Sequence, residues 1–203
     1  MTQRGIVYQA ANLLLCYPTT ELLDRLDLLR EALAGTGLAH HFQPWLDQLA
    51  TRPLNELQSN YIQEFDLSRR HSLHLSYWSC GDTRQRGMEL LGYKDTFKTS
   101  GVDLTGNGEL PDYLPAILEF AACIDEKAGF ELLLRHRAEL EMLRISVTDD
   151  HLPQAGVLTA VCATLPGTSP VTRDDAKAML KATEKPESVG LTFLTMLPTR
   201  TGG

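Results

Sequence analysis

The chain has 203 residues, of which 43% are hydrophobic and 22% are charged, and this balance is typical of one globular domain rather than of a disordered segment. Its formal net charge of -7 argues against a nucleic-acid-binding protein, because phosphate backbones are bound by clustered basic faces. No apolar run reaches the roughly 18 residues of a membrane-spanning helix, and the amino terminus lacks the apolar core of an export signal, so we expect neither a span nor export.

Apolar residues recur every three or four positions over most of the chain, which is the spacing of amphipathic helices. Prolines and glycines interrupt this spacing and mark the ends of the segments. Because neither repeats nor alternating strands and helices are present, we predict an all-α, single-domain helical bundle. The predicted helices span residues 6–17, 20–34, 38–50, 53–66, 82–99, 113–127, 130–147 and 153–165.

Two stretches between these helices have other patterns. Residues 67–80 alternate like a strand, with apolar residues at Leu73, Leu75 and Tyr77. No second alternating run is available to pair with them, so we predict a short helix or an extended turn. Residues 102–108 are rich in glycine and are predicted to form the most flexible internal connection.

The C-terminal part of the chain has a weaker pattern. We expect the helical domain to span residues 1–170. Beyond it, Asp174 and Asp175 are placed to cap a short helix that ends near Thr183. The residues after Pro186 are rich in Gly, Pro, Ser and Thr, so residues 171–203 are predicted to form this short helix and a loose tail.

The four cysteines are far apart along the chain and form no CxxC pair. This spacing suggests neither a disulfide framework nor a zinc ribbon. Together with the missing export signal, it predicts a protein of the reducing cytoplasm.

Two prolines flank the start of the helix predicted at residue 113. Pro111 stiffens the backbone before the helix, and Pro115 falls in the first turn, where an amide hydrogen has no intrahelical acceptor. Asp112 is the predicted N-cap, and its carboxylate keeps the capacity to accept a hydrogen bond from a bound chain. This arrangement holds the side chains at the helix entry in place and favours a binding surface there.

Catalytic chemistry has weak support in the sequence. His71, His74 and Cys80 are the best candidate metal ligands, but a fourth ligand at a familiar spacing is missing. The nucleophile elbow, the phosphate-binding loop and the dinucleotide-binding fingerprint are absent. We therefore predict no catalytic residues and no metal site, and a small metal-dependent enzyme that uses these three residues is the alternative.

The arginines between residues 69 and 86 form a dense basic patch. Arg69, Arg70 and Arg84 are predicted to bind carboxylates within the fold or on a partner, because a guanidinium group pairs with a carboxylate through two hydrogen bonds. Glu119 lies either on an exposed face or in a buried pair with an arginine such as Arg84, and we predict the pair.

A helical bundle offers grooves between its helices, and an amphipathic peptide can bind in such a groove with its apolar face. We predict a groove of this kind between the helix that carries Tyr61 and Phe65 and the helix that begins after Asp112. Aromatic and arginine side chains near it are typical anchors. The predicted binding residues are Tyr61, Phe65, Arg69, Arg70, Leu75, Tyr77, Trp78, Arg84, Leu110, Pro111, Asp112, Tyr113, Pro115 and Glu119.

Several ordered motifs in this region carry a family resemblance. They are YIQEFDL (61–67), LHL (73–75), GDTRQRGM (81–88), ELPDYLP (109–115) and LEF (118–120). Their order and separations resemble those of the NarJ-type assembly chaperones of respiratory nitrate reductase, within the wider TorD/DmsD-like family of redox-enzyme maturation proteins. The chain departs from many members at Tyr113, where they have histidine, although a phenol keeps a ring and a polar tip.

The resemblance implies a cytoplasmic chaperone that catalyses no reaction. It would bind the N-terminal segment of the catalytic alpha subunit of nitrate reductase while the molybdenum cofactor, bis-molybdopterin guanine dinucleotide, and an iron-sulfur cluster are inserted, before the subunit docks at the membrane. The cofactor would be handled on the client and not bound stably by the chaperone. Transient contact with cofactor-delivery proteins is also implied, and a related molybdoenzyme is an alternative client.

Overall fold

The computed structural model describes residues 1–103 and 108–183, and the regular elements in these two ranges are all helices. This confirms the predicted all-α fold. A π-helical turn (Ile62–Asp66) and a 3-10 turn (Arg69–His71) lie between α5 and α6. The α-helices are α1 (Gln3–Leu15), α2 (Thr20–Leu23), α3 (Leu26–Ala34), α4 (Ala39–Thr51), α5 (Leu54–Tyr61), α6 (Ser76–Cys80), α7 (Arg84–Thr99), α8 (Leu114–Cys123), α9 (Glu126–Arg135), α10 (Arg137–Asp149), α11 (Ala155–Ala163) and α12 (Arg173–Thr183).

Helix α1 lies at the centre of the bundle, where it packs against α8 and α11. Its last carbonyl groups, at Leu14 and Leu15, have no donor within the helix. The indole Nε1 of Trp45 donates to the Leu14 carbonyl (2.9 Å), and the hydroxyl of Tyr61 donates to the Leu15 carbonyl (3.0 Å). Buried aromatic side chains of α4 and α5 therefore complete the hydrogen bonding of α1 and fix the end of α5 against the core.

Two helices that the sequence predicts as continuous are each divided in two. The predicted helix 20–34 forms α2 and α3, with a break at Asp24 and Arg25. The predicted helix 130–147 falls on the end of α9 and most of α10, with a break at His136. In both cases the apolar spacing continues across the break, so periodicity alone does not reveal it.

Gly129 lies inside α9, although it falls between the predicted helices 113–127 and 130–147. A Cβ atom at this position would overlap the backbone of Ala121, so glycine allows α8 and α9 to approach closely. Helix α9 begins after Asp125, whose carboxylate accepts a hydrogen bond from the Ala128 amide (2.9 Å). Asp125, and not Gly129, therefore marks the boundary between α8 and α9 in the sequence.

The short C-terminal helix is present as α12, and of the two predicted capping residues Asp175 takes part in the cap, together with Thr172. The Thr172 hydroxyl accepts a hydrogen bond from the Asp175 amide (3.2 Å), and the Asp175 carboxylate accepts one from the Thr172 amide (3.3 Å). This reciprocal pair is a capping box. The predicted tail after Pro186 and residues 104–107 of the predicted flexible connection lie outside the described residues.

The close packing of α11 gives a direct test of the fold. We expect Gly156→Ala to lower the free energy of unfolding by about 3 kcal/mol, because the added Cβ would overlap the backbone oxygen of His41. Gly92→Ala in α7 is the matched control, since nothing lies within 4 Å of a Cβ there. It should raise the free energy of unfolding by up to about 1 kcal/mol, because alanine favours helix. Urea unfolding measures both values, and equal effects would contradict this packing.

Candidate functional site

The residues before α6 pair with the residues before α8. The Leu75 amide donates to the Asp112 carbonyl (3.0 Å), and the Leu114 amide donates to the Leu73 carbonyl (2.8 Å). These bonds frame an isolated antiparallel bridge, so the strand-like alternation of residues 67–80 does find a partner. The partner segment contains Pro111 and has no alternation of its own, so the sequence gives no sign of it.

The side chain of Asp112 is fully buried beneath this bridge and is the centre of a polar cluster. Its Oδ1 lies 3.0 Å from Nδ1 of His74, and its Oδ2 accepts hydrogen bonds from the Ser76 hydroxyl and from Arg86 (3.3 Å). The Arg86 Nε also donates to Ser76 Oγ (3.1 Å). We call these four residues the Asp112 cluster. Together they join the residues before α8 to α6 and α7.

Asp112 is therefore not the N-cap of α8, contrary to the prediction. The helix begins one residue later than expected, at Leu114, and Tyr113 precedes it without a side-chain capping bond. Pro115 still lies in the first turn, as predicted. The side chain of Asp112 faces the interior instead, where its hydrogen bonds are to other residues of this chain.

The Asp112 carboxyl is held in its charged form. Burial by itself raises the pKa of a carboxyl group, but the hydrogen bonds from His74 and Ser76 and the positive charge of Arg86 outweigh it and lower the pKa below the usual range. An ionised carboxylate can only accept hydrogen bonds, so the facing Nδ1 of His74 carries the proton. The cluster thus fixes Nδ1 as the ring atom through which His74 donates to Asp112.

The arginines are arranged differently from the prediction. Arg69 pairs with Asp82 (3.1 Å) and Arg70 with Asp150 (2.9 Å), so both bind carboxylates of the fold as expected. It is Arg86, not the exposed Arg84, that reaches the buried carboxylate.

The predicted pair of Glu119 with Arg84 is wrong. Glu119 is exposed on α8, and no ion pair joins these two side chains in the described part of the chain. Helical spacing places Glu119 one turn beyond Pro115, but it does not show which face of α8 meets solvent.

The candidate metal ligands lie in separate clusters. Nε2 of His71 lies 2.8 Å from Asp150 Oδ2, and its Nδ1 lies 3.0 Å from the Glu64 carbonyl. His74 belongs to the Asp112 cluster, and burial raises the pKa of the Cys80 thiol. Within residues 1–103 and 108–183, no group of three or more His, Cys, Asp or Glu side chains is placed to hold a metal ion.

The outer side of the bridge carries an aromatic surface with acidic residues around it. Tyr113 is half-buried, and its ring lies 5.4 Å from the His74 ring. Leu110 is 41% exposed, and its carbonyl accepts a hydrogen bond from the Tyr113 amide (3.1 Å). Tyr17 is 40% exposed and packs edge-on against Tyr61 at 5.6 Å, and Tyr61 in turn interacts electrostatically with Tyr113. We call this the Tyr113 surface, formed by Tyr17, Leu110 and Tyr113 with Asp66, Glu109 and Glu119.

Asp66 and Glu109 act electrostatically on the Tyr113 phenol, and Glu119 acts on the neighbouring Cys16 thiol. Burial raises the pKa of the Tyr113 phenol to about 12, and Glu109 and Asp66 act in the same direction. Burial also raises the pKa of the neighbouring Cys16 thiol to about 11, and the negative charges of Glu109 and Glu119 contribute to this rise. The Tyr113 surface therefore has a negative potential and favours cationic partners.

The predicted binding residues differ in how deeply they are buried. The buried ones are Tyr61, Phe65, Leu75, Pro111, Asp112 and Pro115. The half-buried ones are Tyr77, Trp78 and Tyr113, and the exposed ones are Arg69, Arg70, Arg84, Leu110 and Glu119. Sequence reasoning missed the contribution of Tyr17, Cys16, Ser76 and Arg86, because they come from three separate segments of the chain.

A cleft of about 310 Å³ lies beside Tyr61 and Phe65, but α8 does not line it. Its walls come from α4, α5 and residues 151–154, including Trp45 and His151. The cleft therefore lies away from the groove predicted between Tyr61, Phe65 and the helix after Asp112. Tyr61 and Phe65 line this cleft and also belong to the main apolar core.

None of the helices described has both the length and the apolar character that a bilayer span requires. The family model described as nitrate reductase delta subunit matches residues 27–153. The chain is also similar to the nitrate reductase-like protein NarX of Mycobacterium tuberculosis, with 38% identity over 167 residues. This match covers 78% of the chain and 24% of NarX, so the chain spans about a quarter of the length of that relative.

Two further relatives are named as assembly chaperones. A protein of Bacillus subtilis named probable nitrate reductase molybdenum cofactor assembly chaperone NarJ is 34% identical over 146 residues, which are 68% of this chain and 78% of the relative. Nitrate reductase molybdenum cofactor assembly chaperone NarJ of Escherichia coli is 30% identical over 123 residues, 58% of this chain and 52% of the relative. The family model covers more than half of the chain, and the chain therefore belongs to the nitrate reductase delta subunit family, with NarJ-type chaperones among its relatives.

Proposed function

We propose that the protein is a dedicated chaperone for the catalytic alpha subunit of nitrate reductase. In this proposal it binds the N-terminal segment of that subunit in the cytoplasm while the molybdenum cofactor and an iron-sulfur cluster are inserted, and it leaves before the subunit docks at the membrane. The names of the relatives from B. subtilis and E. coli support the client and the cofactor. The observation that carries the binding role is the Tyr113 surface, an exposed aromatic and aliphatic patch on a rigid, buried support.

The chemistry of this surface suits an amphipathic segment that carries positive charge. Tyr17, Leu110 and Tyr113 offer apolar contacts, and the surrounding carboxylates pair with Lys or Arg side chains. The Asp112 cluster holds the bridge in one conformation, so little conformational entropy is lost when the segment binds. A chaperone must also release its client, so we expect an affinity that is roughly micromolar, about -8 kcal/mol.

The molybdenum cofactor stays on the client in this proposal, and the chaperone has no resident cofactor. Its residues keep the N-terminal segment of the client away from other partners, including the membrane-bound part of the reductase, until insertion is complete. Contact with cofactor-delivery proteins is then transient and occurs through the client. The half-buried Tyr113 is the residue on which this binding role depends most.

Tyr113→Ala should weaken binding of the client segment about tenfold, because it removes the central ring of the surface. Isothermal titration with a synthetic peptide of the N-terminal segment of nitrate reductase catalytic subunit measures this effect. Leu28→Ala is the control, since Leu28 is an exposed apolar residue on α3. Tyr113→Phe should retain most of the affinity. Unchanged affinity in Tyr113→Ala would exclude this surface, and no binding by the unaltered chain would exclude the client.

A further inference from the structure

Helix α12 lies beyond the region that the family model matches, yet it has a defined place on the bundle. It packs along α10, where Met142, Ile145 and Ala176 form a second apolar cluster apart from the main core. Trp78 of α6 and Leu180 of α12 pack against the same cluster. The helix therefore covers an apolar groove between α6 and α10.

The connection that leads into α12 is anchored firmly. Glu141 is fully buried and pairs with Arg144 (2.6 Å) and Arg137 (3.5 Å), and it accepts a hydrogen bond from Ser169 (2.5 Å). Arg144 also donates to the Pro170 carbonyl (2.6 Å). These charged hydrogen bonds involve no residue of α12 and hold residues 169–170 against α10.

The helix itself is held much less firmly than its connection. Ala176 is its only fully buried side chain in the described part of the helix, and alanine buries little apolar area. Arg173 donates a hydrogen bond to Ser146 Oγ (3.2 Å) and pairs with Asp149 at 3.5 Å, and because both side chains of this ion pair are more than a third exposed, the pair contributes little. Local opening of α12 is therefore easier than opening of the core helices.

The groove has the features of a helix-binding site. Its floor is apolar and includes Trp78, and Asp149 lies at one end. Helix α12 places a cation, a small residue and a larger apolar residue into it, at Arg173, Ala176 and Leu180. This spacing of three and then four residues is the pattern by which an amphipathic helix lies in a groove.

We infer that this groove is a second binding site for the client, and that α12 is its intramolecular competitor. The partner is an amphipathic helical segment of the nitrate reductase catalytic subunit that has a cation one turn before a small residue. The inference rests on the proposed function for the identity of this partner. When α12 occupies the groove, only the Tyr113 surface is open, and displacement of α12 adds the second site and tightens the complex.

The experiment uses the full chain with Ala176→Glu, which places a carboxylate at the buried contact and should displace α12. Ala178→Glu is the matched control, because Ala178 is exposed on the same helix. Acrylamide quenching of tryptophan emission reports the groove, since Trp45 is buried and Trp78 gains exposure. We expect acrylamide to quench Ala176→Glu more strongly than the unaltered chain, and to quench the Ala178→Glu control as it does the unaltered chain. Arg173→Ala should give a smaller change in the same direction and keeps the apolar contact.

Binding is then titrated with two peptides, the N-terminal segment of the catalytic subunit and residues 171–183 of this chain. We expect Ala176→Glu to bind each about tenfold more tightly than the unaltered chain, because the groove is no longer occupied. Equal affinity of both chains for both peptides would overturn the inference. If the 171–183 peptide binds Ala176→Glu and the client segment binds neither chain, the groove is a helix site but the proposed client is wrong.

Discussion

Asp112→Asn is expected to lower the free energy of unfolding by about 3 kcal/mol, although it changes only one atom of the side chain. The carboxylate is fully buried, and its two oxygens face donors on His74, Ser76 and Arg86. The NH₂ group of an asparagine is a donor, so it would face a donor of His74, Ser76 or Arg86 in place of an accepting oxygen. Arg86 would also lose its counter-charge. Urea unfolding near neutral pH measures the change.

Glu119→Gln is the control for this variant, because Glu119 is an exposed carboxylate a short distance along the same segment. It should change the free energy of unfolding by less than about 0.5 kcal/mol. If Asp112→Asn is as stable as this control, the Asp112 cluster does not support the bridge.

The same cluster predicts how stability depends on pH. The pKa of Asp112 is lower in the folded chain, so the unfolded chain binds more protons, and stability rises with pH across this interval. The contribution is complete above the ordinary aspartate pKa of about 3.9 and is lost as the pH falls through the folded pKa. The difference in stability between the unaltered chain and Asp112→Asn should therefore shrink in strong acid.

Glu141→Gln is expected to have an effect of similar size, about 3 kcal/mol, in a different part of the chain. Glu141 is fully buried between Arg137 and Arg144, and its loss of charge would leave two guanidinium groups without a carboxylate. The hydrogen bond from Ser169 would also be weakened. Urea unfolding measures the loss, and limited proteolysis at residues 166–172 shows whether the connection to α12 has detached.

Glu131→Gln on α9 provides the comparison, since Glu131 is exposed on the surface. Its free energy of unfolding and its cleavage pattern should match those of the unaltered chain. Equal stability of Glu141→Gln and Glu131→Gln would show that the buried pair contributes nothing to the fold, and the anchored connection to α12 would have to be abandoned.

The helical architecture is accessible from the sequence because burial follows helical spacing. Leu22, Leu26 and Leu29 lie on one stripe and are all buried. The same stripe hides the break between α2 and α3, since a short turn at Arg25 keeps these leucines on the core side. Helix existence is therefore predicted well by the spacing, and helix ends are predicted less well.

The candidate site is accessible only in part, for a different physical reason. The two prolines mark Asp112 as a fixed position, but its partners are 26 to 38 residues away, and two of them, His74 and Ser76, come from a segment without helical spacing. The sequence pattern does not distinguish Arg84 from Arg86 as the partner of Asp112. Only the packing of α7 decides that Arg86 faces inward. The sequence therefore predicts a local N-cap at Asp112, whereas the carboxylate in fact binds distant residues in the interior.

The central claim is that the client segment binds on the Tyr113 surface. Amide hydrogen exchange of the full chain, with and without the N-terminal peptide of the nitrate reductase catalytic subunit, tests it most directly. We predict slower exchange in residues 109–116 and 61–67 when the peptide is present, and no change in α3. Protection confined to other parts of the chain, with residues 109–116 unaffected at saturating peptide, would contradict the claim.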